Sequence, residues 1–437
     1  MKKLLAIVLT ACLTASLLAA CGAKPAASTP AASGSGTAQS TPADPVKLVY
    51  WSMWNEAEPQ GQVIKEAAAA YSKANPNVTV EINWMGRDLV KVIGAKLTAG
   101  EAIDMWDGPA NTILPATIDN VADLTSYFDK TYDTTGGKAY KDVVLNATIE
   151  TTKTYSREGE INGVPYQPFV QCVFYNKDHF KDAGITELPK TWDELLVVCE
   201  KLKAKGYAPI TCDDAYMPAL PGMYLARAKG AEWVSQLVKE NKDEMWQDPA
   251  VLEMANAYAE MAKKGYFHEN ITSNVFPAGQ QDLANGAVSM YLNASWLVNE
   301  LMPVTGPDFP WGQMHFPTVP NGTGKANSAN YASQAMCINK DSANVEAAFQ
   351  FAVYLTTGEW DGTLAEKTYG VPAGVDSVWP AQLADAKDVF VSIEAWMPWS
   401  GGLEDNGDIV PAIRTAFTEL IGGQITPEQF VQKMVDM

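Results

Sequence analysis

VKLVYWSMWNEAEPQGQVIKEAAAAYSKANPNVTVEINW, residues 46–84, decides the fold class. Val46 to Trp54 is rich in β-branched and aromatic residues and reads as a buried strand. Gln62 to Ala74 is an alanine-rich helix, stopped at Asn75-Pro76. Val78 to Trp84 alternates polar with apolar residues as a second strand. Leu89 to Leu97 is a further helix, closed by Gly100, and Ala102 to Trp106 a third strand. Strand, helix, strand, helix, strand is the pattern of a doubly wound parallel sheet. Ligands of such sheets bind beyond the carboxyl ends of the strands. Attention therefore falls on the loops 55–60, 84–87 and 107–111.

A second α/β unit follows. Phe169 to Tyr175 reads as a strand, and Thr191-Trp192-Asp193-Glu194 caps a helix that runs to about Lys205. Pro209 to Cys212 is a strand whose exit loop carries Asp213, Asp214 and Tyr216. Val251 to Lys264 is a helix. Ala287 to Leu292 is a strand that leads through Asn293-Ala294-Ser295-Trp296 into another helix. Tyr331 to Ile338 is a strand and Asn344 to Leu355 a helix. No repeat of fixed period is visible, and the length of the chain predicts two domains.

The amino terminus speaks to compartment. Lys2 and Lys3 precede an apolar run from Leu4 to Leu18, the layout of an export signal over residues 1–20. The run ends in Leu18-Ala19-Ala20-Cys21-Gly22, which resembles the bacterial lipobox and implies acylation of Cys21. A plain signal peptide with an incidental cysteine is the alternative. Residues 22–45 are almost all Ala, Pro, Ser, Thr and Gly, a composition for a flexible tether. The formal net charge is −19, and loss of Lys2 and Lys3 makes it −21. So acidic a chain is poorly suited to nucleic acid. Of the six cysteines, Cys172, Cys199, Cys212 and Cys337 remain beyond the leader and the acylation site. A Cys199–Cys212 bridge is conceivable, but buried free thiols fit their spacing better. His179, His268 and His315 have no partners at metal spacing, and no cofactor motif is present. Asp405-Asn406-Gly407-Asp408 lacks the full ligand series of a calcium loop and reads as a turn. Thirteen tryptophans are many for this length; indole faces suit the apolar faces of pyranose rings.

Several stretches resemble the extracellular solute-binding protein family 1, the sugar-binding lipoproteins of ABC importers. They are Lys47 to Ile82, Ile161 to Lys205 (with INGVPYQPFVQCVFYNKDHFKDAGI), Gly286 to Trp296 (GAVSMYLNASW) and Tyr331 to Thr357. Their order and spacing carry the resemblance along nearly all of the chain after the tether. It implies two doubly wound α/β lobes joined by a multi-strand hinge, the type II periplasmic-binding-protein fold. The amino-terminal lobe would hold 46–167 and 333–370, and the carboxy-terminal lobe 168–332 and 371–437. Tyr166, Gln167, Tyr331 and Gly370 would mark the crossings. Closure of the lobes on a guest would be a hinge motion, with a few residues at the crossings absorbing the change in backbone angles.

The same resemblance selects cleft residues. Asn55 and Glu56 match the polar pair after the first strand, where the family's maltose binder has Asp-Lys. Asp214 and Tyr216 match an acidic and an aromatic cleft residue, and Trp296 matches a stacking platform. Position in loops adds Trp84 and Arg87, Asp107 and Asn111, and Trp396 and Trp399 in EAWMPWSGG. Trp51 and Trp106 read as core. The implied function is capture of a carbohydrate, an oligosaccharide for preference, by a non-catalytic, monomeric protein. It would be lipid-anchored outside the cytoplasm and would serve ABC permease subunits. The rival is a surface glycosidase or polysaccharide lyase, which would need two carboxylates paired across a cleft; no such pairing is visible.

Overall fold

The computed structural model describes residues 45–437. The leader, Cys21 and the tether lie outside the described residues. The strands are β1 (Val46–Ser52), β2 (Val78–Trp84), β3 (Met105–Pro109), β4 (Val164–Asn176), β5 (Ala208–Thr211), β6 (Val288–Ala294), β7 (Trp311–Met314), β8 (Ser328–Ala329), β9 (Tyr331–Ile338) and β10 (Ala395–Trp396). The main sheet runs β2-β1-β3-β9-β4-β6-β5, with β7 also paired to β4, and β8 and β10 form a separate pair. β1 is parallel to β2 and β3, and β5 is parallel to β6. β9 is antiparallel to both β3 and β4.

The winding of the first lobe follows from its residues. Helix α1 (Pro59–Ala74) buries Val63, Ile64, Ala67, Ala68 and Tyr71, one face of a 3.6-residue period, and ends where Asn75 Nδ2 donates to the Tyr71 carbonyl at 3.0 Å. Helix α2 (Leu89–Thr98) buries Leu89, Ile93 and Leu97. Together with β1, β3 and β9 they enclose Leu48, Tyr50, Met105, Trp106, Ile338, Phe349 and Phe351. The second lobe has a core on each face of its half-sheet. On β4, Val173 and Tyr175 join Trp192, Met223, Trp246, Tyr258 and Phe417, while Cys172 and Phe174 face Tyr291, Leu297, Trp311 and Phe390. That alternation is the two-residue period of a strand. Helix Trp192–Ala204 has the expected capping box: Glu194 N–H donates to Thr191 Oγ1 at 3.3 Å and Thr191 N–H to Glu194 Oε2 at 3.0 Å.

Two differences from the sequence reading matter. β4 has 13 residues rather than the seven of Phe169–Tyr175. Its pairing with β9 shifts between Tyr166 and Phe169, and Gln167 has a left-handed φ of 44°. Pro168 has no N–H to give the ladder and falls within this bulge, a position where strand proline is tolerated. One strand thus belongs to both lobes. Secondly, β3 spans 105–109 rather than 102–106, and the Asp104 carboxylate just before it accepts the Val49 N–H at 2.7 Å. Asp107 therefore lies within the strand and not beyond it. The cysteines Cys172, Cys199, Cys212 and Cys337 are buried and free.

Candidate ligand-binding cleft

In the first lobe, β1 delivers Met53 to Glu58 to the sheet edge. The Arg87 guanidinium lies 4.3 Å from the Trp54 ring centroid. It donates to the Met53 carbonyl at 2.7 Å and to Glu58 Oε2 at 3.0 Å. Asn55 Nδ2 donates to the other Glu58 oxygen at 2.8 Å. Asn55, Arg87 and Glu58 thus form one exposed polar rim above a buried indole.

Beneath that rim lies Asp107, whose side chain is wholly buried. It accepts from Met53 N–H at 2.6 Å, Tyr50 Oη at 2.8 Å and Ser52 Oγ at 3.3 Å, and also from Tyr166 Oη. Trp54 Nε1 in turn donates to Tyr166 Oη at 2.7 Å. Burial pushes the Asp107 carboxyl up, and the hydrogen bonds from Tyr166, Met53, Tyr50 and Ser52 work against that shift. Burial beside this carboxylate holds the phenols of Tyr50 and Tyr166 well above their ordinary value. The expectation that Asp107 touches ligand is corrected: both its oxygens are engaged inside the core, where they tie the cleft loop to the hinge strand. Glu56 is exposed and pairs with Lys65 of α1 at 2.6 Å. Trp84 is half-buried against the first core, and Asn111 is exposed in the first turn of helix Ala110–Thr117.

The second lobe repeats the device. Asp213, also wholly buried, accepts from Gly279 N–H at 2.5 Å, Gln280 N–H at 3.1 Å and Tyr291 Oη at 2.6 Å. It locks the exit of β5 to β6 and to helix Ala278–Ala284. Above it sits an aromatic group. Trp296 and Trp399 stack at 5.3 Å with an interplanar angle of 17°. Phe169 meets Trp296 edge-on at 4.7 Å, and Tyr216 lies 5.8 Å from Trp399. Gln171 Nε2 donates to the Trp399 carbonyl at 2.9 Å. Its Oε1 has no partner, nor do Asn293 Nδ2, Ser333 Oγ and Gln334 Oε1. These four unpartnered atoms sit on β4, β6 and β9, the strands that carry the chain between lobes or flank the crossing. Unpaired buried polar atoms are costly and call for a reason.

Of the second-lobe residues singled out in the sequence, Tyr216, Trp296 and Trp399 are brought together. Asp214 uses one carboxylate oxygen locally: its Oδ1 accepts from Ala215 N–H at 2.8 Å and Phe276 N–H at 3.0 Å. Trp396 stands apart from the aromatic group, donating from Nε1 to the Tyr331 carbonyl at 3.0 Å. Its place is beside the hinge. Gln167 Nε2 donates to Thr368 Oγ1 at 3.1 Å, and Gly370 N–H to the Ala365 carbonyl at 3.0 Å, so the crossings are braced by the helix Gly358–Thr368. Phe169, Gln171 and Asn293 escaped the sequence reading. Gln171 had a signal, an amide in an otherwise apolar strand.

A separate groove of about 820 Å³ in the second lobe is lined by Tyr175, Lys177, Met314, His315, Phe316 and Asp388, none of them in the aromatic group. There burial pushes the His315 imidazole down to about 4. Among the described residues, no cluster of His, Cys, Asp or Glu has the makings of a metal site. No described helix is long and apolar enough to cross a membrane.

The pattern of the bacterial extracellular solute-binding protein family matches residues 55–361. The chain belongs to that family. This solute-binding protein is 24% identical over 353 residues to the multiple sugar-binding protein of Streptococcus mutans, covering 79% of this chain and 76% of that one. It is 25% identical over 387 residues to a maltooligosaccharide ABC transporter solute-binding lipoprotein of Streptococcus pneumoniae, covering 86% and 81%. A probable secreted solute-binding lipoprotein from Streptomyces coelicolor has the same fold, with a TM-score of 0.72, 16% identity and coverage of 90% and 98%. The apo form of RafE from Streptococcus pneumoniae matches with a TM-score of 0.70, 19% identity and coverage of 91% and 98%. The architecture is the two-lobed, type II periplasmic-binding-protein fold.

Proposed function

We propose that this solute-binding protein captures an oligosaccharide between its lobes and hands it to the permease subunits of an ABC importer, without catalysis. The observation that carries the reading is the Trp296–Trp399 pair with Phe169 and Tyr216, set next to the unpartnered Gln171 Oε1 and Asn293 Nδ2. A pyranose needs both kinds of neighbour, an aromatic face for its C–H surface and amide atoms for its hydroxyls. On this reading the rim of Asn55, Glu58 and Arg87 supplies the opposing polar contacts when the lobes close. The relatives named for multiple sugars and maltooligosaccharides support a carbohydrate guest.

In the same proposal Cys21 carries the lipid that holds the protein outside the cytoplasm, residues 22–45 let it stand away from the membrane, and it works as a monomer. The lobes comprise 46–167 with 333–370 and 168–332 with 371–437. Intrinsic tryptophan fluorescence, titrated with mono- and oligosaccharides, glycerol phosphodiesters and amino acids, tests the ligand class. A saturable change with an oligosaccharide is expected, at an affinity of about −8 kcal/mol, the micromolar range. Response to amino acids alone would overturn the reading. Metabolic labelling with a fatty acid, abolished by Cys21→Ala, tests the anchor.

A further inference from the structure

The aromatic group does not end at Tyr216. Phe276 lies 5.7 Å from Tyr216 with the rings at 86°, and it is 41% exposed. Neighbouring centroids along Phe169, Trp296, Trp399, Tyr216 and Phe276 are separated by 4.7, 5.3, 5.8 and 5.7 Å. The row starts on the hinge strand and finishes on an open loop. A single exposed apolar side chain is ordinary. This one is different in being fixed at the end of a continuous row.

The loop is pinned from both sides. Asp214 N–H donates to the Asn274 carbonyl at 3.0 Å, and Asp214 Oδ1 accepts the Phe276 N–H at 3.0 Å. Asn274, itself buried, donates from Nδ2 to Thr211 Oγ1 at 3.1 Å and to Asp282 Oδ2 at 3.2 Å. The carboxylate read from sequence as a ligand contact is thus a bracket for a phenyl ring. Among the described residues no Lys or Arg lies over any of the five rings; the cations that do stack are on Trp51, Trp54, Tyr127, Trp233 and Tyr266. A protein of formal charge −19 disfavours an anionic guest.

We propose that Phe276 is an outer subsite of the cleft, taking a ring of an oligosaccharide of at least three units whose inner rings lie against the stacked Trp296–Trp399 pair and Tyr216. This rests on the carbohydrate reading and adds to it the length of the guest and the residue that senses length. Asp214 acts as a positioning residue for Phe276.

Calorimetric titration of the full-length protein with maltooligosaccharide and xylooligosaccharide ladders, from one to six units, decides the matter. An aromatic contact contributes about 0.5–1.5 kcal/mol, so Phe276→Ala should weaken the longer members about two- to tenfold, with the loss growing along the ladder. Phe276→Tyr should restore affinity, and the thermal midpoint of Phe276→Ala should stay near wild type because the ring is partly in solvent. Wild-type affinity should rise up to the trisaccharide or beyond. Sugar binding that is equally strong for monosaccharide and hexasaccharide, or a Phe276→Ala loss that is zero or the same at every length, overturns the outer subsite and leaves carbohydrate binding standing. Binding of no sugar in wild type sinks the carbohydrate reading and this subsite with it.

Discussion

Replacing Asp107 by alanine should destabilise the protein strongly without acting first on ligand affinity. The carboxylate is buried and accepts from the Met53 amide and the Tyr50 and Tyr166 hydroxyls. Alanine leaves those three donors without this acceptor, at about 1–3 kcal/mol for each that finds no other. Release of a buried carboxylate, whose pKa burial pushes up, offsets part of that. The net is a loss of about 3–5 kcal/mol. With an unfolding entropy of about 2.1 cal/mol/K per residue over roughly 390 residues, the midpoint falls by about 4–6 °C. Asp107→Asn keeps an acceptor for Met53 and lets both tyrosines rotate to accept from its amide, so about half that loss is expected. Scanning calorimetry reads the stability, and ligand titration below the transition reads the affinity. An Asp107→Asn protein of wild-type stability that binds its sugar ten times more weakly would refute the structural role and reinstate Asp107 as a ligand contact.

Two other outcomes follow from buried charge. Arg227 is 1% exposed, and among the described residues the arginine ion pairs are those of Arg87 and Arg157, so no carboxylate lies within ion-pair distance of it. It donates to the Phe316, Lys325 and Ser328 carbonyls at 2.9–3.3 Å and so braces β8, whose partner β10 leads into Trp399. Arg227→Met should cost about 3–5 kcal/mol by denaturant titration and shift the emission of the Trp399 region; an unchanged midpoint would remove the bracing role. Asp361 accepts the Ala373 and Gly374 amides, each at 2.8 Å, yet burial lifts its carboxyl from 3.8 to about 6. The native state therefore holds this proton more tightly than the unfolded chain. Its stabilisation is complete below about pH 4 and is lost as pH rises through 6, on the order of 3 kcal/mol in all. The stability difference between wild type and Asp361→Asn should fall across pH 4–7; a flat difference would contradict the burial argument.

Much of the fold was legible because local signals agreed with the final packing. β2 falls where the alternation placed it, β9 has the bounds read from sequence, and the Thr191–Glu194 capping box is present. Helix Ala219–Lys229 gave no signal because all its residues but Lys229 are buried, which leaves no polar face to set a period. β4 was read short because Pro165 and Pro168 look like strand breakers, whereas the fold uses Pro168 at its bulge. Tyr216 and Trp296, picked out by the family resemblance, and Trp399, picked out by its loop, do come together. The distant partners of the charged residues were not legible. Asp214 meets the amide of Phe276, and Asp107 meets a tyrosine on another strand. Partners that far along the chain leave no mark in local sequence.

A guest held by both lobes can drive their closure only through contacts it makes in the closed state. Small-angle X-ray scattering of the full-length protein, with and without a saturating amount of the tightest-binding oligosaccharide, measures that directly. Contraction of the radius of gyration on binding, abolished by Trp399→Ala at the same sugar concentration, is the expected result. Saturation by sugar with no change in the scattering profile would contradict the account.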